Sequence, residues 1–543
     1  MADDVDVMVV GAGPVGLFLA GELIGHGARV RVIDSAAGPT TLSKAVGVHA
    51  RTMEIFQDIG VADKALAEGL KMHGANVYSE GKRIAHLVMD ELDSPFPFVL
   101  TLEQSRTERI LQDRLTDLGG AVERNTTMTG FAQDEDGVTV TFTTADGATA
   151  TQRARWLVGT DGAHSTTRHT LGLDFEGDAL PQNMLLADVR LAWNYPDDEL
   201  TVSIGDEGLV FVAPLKSGRA RVIAEVADEV ETVTLAMVQD VIDTRVAGGG
   251  TVSDPVWLTT FRISERQVPH YRDGRVFLAG DAAHIHSPAG GQGMNTGIQD
   301  AYNLAWKLGL AARGKASAAL LESYNDERHP VGHAVLRGTG IATRVITLRN
   351  PLARHLRDRL ASLLTSMEVV QERMRNQASQ LGVGYRDSPI VGEYRAEVPG
   401  GRAFNRGPGP GERAPDGALD DPQGGTGLTL FELMRGPAHD ALFFAGLAPT
   451  PGDEDRRSAS LEAILAAFGG DARPILIVAP DNPLPETWHG ILVIDADGSL
   501  HRRYGAERAC LYLVRPDGYI GFRSQPPDGG AVADYARRLS AAD

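Results

Sequence analysis

One cysteine, Cys510, stands in 543 residues. No internal disulfide can form and no CxxC pair exists, so the residue is expected to be a small buried hydrophobe rather than a reactive thiol. Aromatic residues are sparse, at 6%. Basic residues are outnumbered: 52 Lys and Arg against 72 Asp and Glu leave a formal charge of −20. Such a surface repels polyanions, which argues against nucleic acid and anionic membrane as partners, although a local basic cluster can still hold a small anion. No run approaches the ~20 apolar residues of a membrane span. The start, Met1-Ala2-Asp3-Asp4-Val5-Asp6, lacks the basic residues and longer apolar core of a secretory signal, so a cytoplasmic location is expected. HExxH, clustered Cys and EF-hand patterns are absent, and no metal site is expected.

What the chain has in quantity is glycine, 62 residues, whose uses are tight turns and close backbone approaches. The length exceeds what one hydrophobic core supports and predicts two or three domains. Val5 to Val10 is a short β-branched apolar run, which reads as a buried parallel strand. Gly11-Ala12-Gly13-Pro14-Val15-Gly16 follows, then a helix-compatible run from Leu17 to Ile24, a turn at Gly25-His26-Gly27, and a second strand from Arg29 to Ile33 that ends on Asp34. This is a complete βαβ unit with a dinucleotide fingerprint. Gly11 permits the turn, Gly13 lets a pyrophosphate approach the backbone, and Gly16 lets helix and strand pack. The helix N-terminus supplies free N–H groups for phosphate. Asp34 lies 23 residues after Gly11, where a carboxylate can accept from an adenosine ribose. At this point the dinucleotide could be NAD or FAD.

Two later segments bear on that choice. Trp156 to Arg168 runs from an apolar strand into a turn carrying Asp161-Gly162. Arg275 to His284 runs from a strand into Gly280-Asp281 and continues as Ile285-His286-Ser287-Pro288-Ala289-Gly290-Gly291-Gln292-Gly293-Met294-Asn295 into a helix from Thr296 to Leu308. Asp281 can bind a ribityl hydroxyl. The turn from Gly290 to Gly293 exposes N–H groups at a helix N-terminus, where negative charge on a reduced isoalloxazine would be stabilised.

Taken in order and spacing, these three motifs resemble those of the class A FAD-dependent aromatic hydroxylases, the flavoprotein monooxygenases that include the para-hydroxybenzoate and phenol hydroxylases. The likeness is strongest to the phenol hydroxylase and polyketide-tailoring branch and spans roughly residues 5 to 345. It implies an α/β fold: a Rossmann-like FAD-binding domain of the glutathione-reductase type, a mixed β-sheet substrate domain and a C-terminal thioredoxin-like domain. Gln104 matches a glutamine on the flavin side of the cofactor, Arg51 an arginine near the pyrophosphate or ribityl chain, and Pro288 a proline over the flavin C4a edge. Lys44 stands where many relatives carry Arg. The cofactor-binding set so implied is Gly11, Ala12, Gly13, Pro14, Val15, Gly16, Asp34, Arg51, Gln104, Asp161, Gly162, Asp281, Pro288, Gly291, Gly293, Met294 and Asn295. Tyr324 to Pro330 matches a structural helix-end motif.

The resemblance further implies an NAD(P)H-dependent monooxygenase, with NADPH favoured, that uses molecular oxygen and a flavin C4a adduct to hydroxylate a small phenolic or polycyclic aromatic substrate. A Baeyer–Villiger or epoxidising oxygenase is the alternative within flavoenzymes; a non-catalytic FAD-binding protein is the alternative outside them. No catalytic base is identified: His49, His73, His284 and His286 lie nearest the motifs and are read as structural or supporting groups, His286, two residues before Pro288, being the most interesting of them. The expected domains are 1–180 for FAD, with 73–100 joining the substrate sheet of 181–270, a return to the FAD domain over 271–399, and a thioredoxin-like unit over 400–543 that lacks CxxC. Helix is expected from Ala316 to Leu381, broken or kinked at Pro330 and Pro351. A Pro/Gly-rich linker from Gly400 to Gly411 marks the last boundary. A monomer or homodimer is expected.

Overall fold

The computed structural model of the chain describes residues 5–226, 230, 232–287, 290–346, 359, 365, 367–397, 401–480, 482–485 and 487–540. Pro288, Pro351 and Gly400 lie outside them.

Three large sheets dominate the described residues. The first contains the N-terminal run Val5–Val10, which pairs in parallel with Val30–Ile33 on one side and with Thr149–Gly159 on the other. Thr149–Gly159 in turn pairs in parallel with Val276–Leu278. The strands leading into all three motifs are therefore neighbours, and their C-terminal ends open on one edge, where ligands bind in such sheets. Helices Pro14–Gly25 and Gly293–Ala312 cover this sheet and pack on each other.

The second sheet is antiparallel except where Glu199–Gly205 pairs in parallel with Gly74–Ser79. That pairing brings Gly74–Ser79 and Lys82–Val88 into the sheet formed otherwise by segments between Glu176 and Ile285. Both of its faces are apolar. Leu185, Ala187, Val210, Val212 and Val222 face helix Leu235–Arg245 through Val238, Val241 and Ile242, while the alternate residues face the FAD-type domain. This follows from the period of two along each strand.

The third sheet runs Gly392–Arg395, Ile520–Gln525, Cys510–Val514, His439–Phe444, Ala472–Val478, Ile491–Ile494, with helices Asp453–Phe468 and Gly529–Leu539 beside it. Its first strand precedes the Gly-rich segment, so that segment runs within this unit; Gly401–Arg406 forms a short 3₁₀ turn there. Cys510 is fully buried in a strand, and burial pushes its thiol pKa up.

One expectation is corrected. The motif Tyr324 to Pro330 is not a helix end: helix Ala318–Ile346 continues unbroken through Pro330, so the motif is mid-helix. The segment ahead of the proline is anchored on several sides: Tyr324 Oη donates to the Leu278 carbonyl at 2.7 Å and Arg328 Nε to Asp300 at 2.7 Å. Such tertiary anchoring outweighs the missing N–H of one proline. No helix among the described residues is long and apolar enough to cross a membrane.

Candidate FAD and substrate site

The glycine loop after the first strand is shaped by contacts a side chain would destroy. Gly11 has φ +102°, and a Cβ there would lie 2.4 Å from the Thr160 carbonyl oxygen. A Cβ on Gly16 would lie 1.9 Å from the Gly11 carbonyl oxygen. Thr160 completes the lock: its hydroxyl donates to the carbonyls of Val10 at 2.9 Å and Gly11 at 2.8 Å. Asp34 accepts from the Ala12 N–H at 2.6 Å and the Ala36 N–H at 2.7 Å, so it fixes the loop from the second strand. Around Gly13, by contrast, nothing lies within 4 Å of a would-be Cβ. The loop is closed on the protein side and open at the helix N-terminus, whose first N–H groups have no intrahelical partner.

Gly13 opens onto a cavity of about 590 Å³. Pro14, Val15, Gln104, Gly162, Asp281, Gly291, Gly293 and Met294 line the same cavity, together with Lys44, His49 and Thr160. Gln104 is oriented by the Ala45 N–H, which donates to its Oε1 at 3.1 Å, and by its own donation to Glu108 at 3.0 Å. Asp281 sits on a 3₁₀ turn with its side chain open to the cavity, yet deep enough in protein that desolvation raises its pKa above the usual carboxylate value.

Other residues of the set shape the cavity from behind. Asn295 is buried; its Oδ1 accepts from the His49 N–H at 2.9 Å, and its Nδ2 donates to the carbonyls of Gly47 at 2.8 Å and Gly291 at 2.9 Å. It thus ties the Gly290–Gly293 turn, positive-φ at Gly290 and Gly291, to the strand at Gly47. The Asp161 carboxylate points back into its own turn, accepting from Ser165 Oγ at 2.5 Å and from the Thr167 N–H at 3.0 Å. It presents Gly162 to the cavity and is not itself part of the wall.

Arg51 departs furthest from expectation. It is buried away from the cavity, where Nη1 donates to Glu54 at 2.9 Å and Nη2 to the Asp517 carbonyl at 2.7 Å. Arg413 completes that cluster by donating to both Glu54 oxygens at 2.9 and 2.8 Å. Arg51 therefore joins the N-terminal and C-terminal parts of the chain. Its early place in the sequence, near the first motif, concealed this, because its partner Asp517 is 466 residues away.

The rest of the cavity wall is the inner face of the second sheet, including Leu87, Met184, Leu200, Val202, Leu209, Phe211, Ala213, Ile223 and Ile263, with Met72, Met89 and Val99 from neighbouring segments. Arg221 is the cation that this sheet, among the described residues, brings to the cavity wall. It is buried and forked onto Asp188, Nε at 2.8 Å and Nη2 at 2.6 Å, so its charge is neutralised in place. Arg221 and Asp188 carried no motif, and Thr160 stood in the second motif without a role assigned to it; the one sequence signal for the ion pair was an arginine two residues from Ile223 on the same strand face. A second, more open groove of about 770 Å³ lies beside Arg386, Arg413 and Arg503, each paired with an acid, and offers no comparable apolar wall.

The residues present fit FAD: a glycine loop shut on one side and open at a helix N-terminus, an open acid at Asp281, and a second glycine turn at the start of a helix. The chain belongs to the FAD-binding domain family, which matches residues 4–339. It is, more narrowly, an FAD-dependent monooxygenase of the aromatic hydroxylase class. It is 36% identical to the 6-methylpretetramide 4-monooxygenase of Streptomyces rimosus over 96% of this chain and 91% of that protein. It is 32% identical to the pentachlorophenol 4-monooxygenase of Sphingobium chlorophenolicum over 96% of this chain and 94% of that protein. Among solved structures, the anhydrotetracycline hydroxylase OxyS from Streptomyces rimosus superposes with a TM-score of 0.74 at 32% identity, over 98% of both chains. The ternary complex of aklavinone-11 hydroxylase with FAD and aklavinone gives 0.77 at 25% identity, over 99% of both.

Proposed function

We propose that this enzyme hydroxylates a polycyclic phenol of polyketide type, using NADPH and molecular oxygen. One observation carries the reading: the cavity that opens at Gly13, Gln104 and Asp281 is continuous with an apolar wall built by alternate residues of the second sheet. A flat, largely uncharged ring system matches that wall, and its burial there is favourable at roughly 25 cal/mol per Å² of apolar surface. Relatives named for tetracycline-type and chlorophenol substrates support the same class.

In this reading Gly11 to Gly16 and the helix Pro14–Gly25 hold the pyrophosphate, with Asp34 beside the ribose. Asp281 receives the ribityl chain, and Gln104, Gly162 and the turn Gly290 to Gly293 border the isoalloxazine. The bound flavin supplies reduction by NAD(P)H and activation of oxygen. The protein supplies the rest. The second sheet excludes water from the reacting ring, the N–H groups at the Gly293 helix start favour negative charge on the cofactor, and Arg221, held by Asp188, places a fixed dipole beside the substrate.

The test is reconstitution with FAD followed by a panel of simple phenols and polycyclic phenols, scored by stimulated NADPH and NADH oxidation and by NMR of the product. A hydroxylated ring with NADPH preferred is expected. An oxygen inserted beside a ketone would replace hydroxylation with Baeyer–Villiger chemistry, and bound FAD without any oxidation of reduced nicotinamide would remove the enzymatic reading.

A further inference from the structure

His49 stands at a junction of three elements. The short strand Gly47–Val48 precedes it, and it is the N-cap of helix Ala50–Asp58, with extended φ −83° and ψ 163°. Its backbone N–H donates to Asn295 Oδ1 at 2.9 Å, and Asn295 Nδ2 donates to the carbonyls of Gly47 and Gly291. One side-chain amide thus clamps His49, the strand before it and the glycine turn that opens helix Gly293–Ala312. The clamp takes the backbone of residue 49, so the imidazole is left over for another use.

That ring lines the cavity, and its two nitrogens differ. Nδ1 is shut off from water and has no hydrogen-bond partner among the described residues. Nε2 is turned to two glycines: it lies 3.7 Å from where a Cβ would stand on Gly47 and 3.7 Å from one on Gly291. A side chain at either position would stand against it. Both glycines line the cavity, so the space in front of Nε2 stays open to a ligand. Buried N–H groups without an acceptor are rarer than bare acceptors. The one ring proton of a neutral imidazole therefore belongs on Nε2, with the bare lone pair on Nδ1. Gly290, beside the ring on the cavity wall, favours a proton there through its backbone, short of a full hydrogen bond. Burial keeps the ring uncharged, with its pKa lowered to about 4. A neutral N–H donor thus faces the cavity at the glycine turn.

We propose that His49 donates a hydrogen bond from Nε2 to the isoalloxazine of bound FAD, and so favours the electron density that the ring gains on reduction. This rests on the placement of the isoalloxazine beside the turn Gly290 to Gly293, not on the substrate class. A hydrogen bond strengthens as its acceptor gains negative charge, and more so where water is excluded. The bond is therefore worth more to the reduced cofactor than to the oxidised one, which raises the flavin potential. His49 acts in this beside the N–H groups of the helix start, but through a side chain. Substitution can remove that side chain while the backbone N–H of residue 49 keeps its place on Asn295.

The experiment uses the FAD-loaded enzyme with nitrogen-labelled histidines, without nicotinamide or substrate. The NMR signal missing from His49→Gln assigns the ring. In the oxidised wild type a neutral imidazole with its proton on Nε2 is expected, and its signal should move when dithionite reduces the flavin. A proton on Nδ1 would overturn the proposal. So would an Nε2 signal unmoved by reduction, which would leave that N–H to Gly290 alone. The flavin midpoint potential is the second readout. His49→Leu should lose about tenfold in preference for the reduced flavin, a fall of about 30 mV for a two-electron couple. His49→Gln, which offers a donor at similar reach, should stay within about threefold of wild type, or about 15 mV. A His49→Leu protein at the wild-type potential would overturn the proposal; if that variant loses FAD, the wild-type spectrum decides. Asn295→Ala, which frees the turn, separates the two readings. If it lowers the potential and His49→Leu does not, the ring lies at the turn and only the role of His49 falls. If neither changes the potential, the placement of the isoalloxazine falls with it.

Discussion

The substitution Gly13→Ala separates a glycine needed by the protein from one needed by its ligand. Gly13 is the N-cap of helix Pro14–Gly25 with φ −75° and ψ −175°, a conformation any residue adopts, and its would-be Cβ meets nothing within 4 Å. Alanine restricts the unfolded chain and so adds about 0.4–1 kcal/mol of stability. It is also a poorer N-cap than glycine by a similar amount. The two nearly cancel, and the apo-protein should melt within about 2 °C of the wild type. The methyl group does, however, project into the space where the pyrophosphate must approach the helix start. Loss of one charge-assisted hydrogen bond there costs about 1.5–3 kcal/mol, or roughly 10- to 150-fold in Kd. Gly16→Ala is the contrast: with its Cβ 1.9 Å from the Gly11 oxygen, it strains the loop itself and should destabilise even the apo-protein by about 1–3 kcal/mol. Titration of apo-protein with FAD, followed by flavin fluorescence, together with thermal melts of both forms, reads both effects. A Gly13→Ala protein that binds FAD within about twofold of wild type would refute the assignment of this loop to the phosphates.

Three other outcomes follow from buried groups. Glu327→Ala should cost about 3–5 kcal/mol in equilibrium unfolding, because it strips Lys307 Nζ (2.8 Å) and Arg515 (2.7 and 2.9 Å) of a fully buried partner. Glu22 behaves oppositely with pH: burial raises its pKa to about 7 although Arg114 stands 2.6 Å away. Its folded-state pKa lies above its unfolded one, so the stability it confers is complete below about pH 4.5 and is lost as pH rises to about 7, a fall of the order of 3 kcal/mol. Glu22→Gln should flatten that fall when unfolding is measured at about pH 5 and about pH 8. Cys510, buried with its thiol pKa pushed up, should not react with a thiol reagent until the protein is unfolded; rapid labelling of the native protein would contradict its position.

The βαβ unit was legible because local spacing determines it: strand, glycine loop, helix and acid are consecutive, and the helix spans Pro14–Gly25 where Leu17 to Ile24 was expected. The substrate wall was not legible, and the reason is visible in Leu209 to Ala213. All five residues are apolar, so nothing in the run says which alternate set faces which partner. The structure turns Val210 and Val212 onto helix Leu235–Arg245 and Leu209, Phe211 and Ala213 into the cavity. A sheet covered on both faces loses the polar alternation that would mark an open side. Arg51 and Asp161 show a different limit. Both stand in or beside motifs, but what a carboxylate or guanidinium touches is set by partners that spacing does not reveal: Ser165 and Thr167 for Asp161, Glu54 and Asp517 for Arg51.

The same long-range partners give the C-terminal sheet a role that needs no thiol pair. Its hairpin turn carries Asp517, which accepts from Trp306 Nε1 at 3.2 Å and Asn303 Nδ2 at 3.3 Å on the helix that begins at the second glycine turn. Arg515, from the same hairpin, forks onto Glu327 and lies over the Tyr385 ring at 5.3 Å. The Tyr385 hydroxyl receives Arg328 at 2.9 Å, Arg328 holds Asp300, and Asp300 holds both the Gly280 N–H and His284. Contiguous polar contacts thus run from the C-terminal hairpin to the turn that presents Asp281. Replacing such charges by apolar residues would cost little in burial, since desolvation offsets much of what buried ion pairs return. What charges add is directional: a forked guanidinium meets its carboxylate in few orientations, whereas an apolar face slides. The C-terminal unit is therefore seated by directional contacts on the two helices behind the cavity, and those same helices hold the loop from Gly280 to His286 through Asp300.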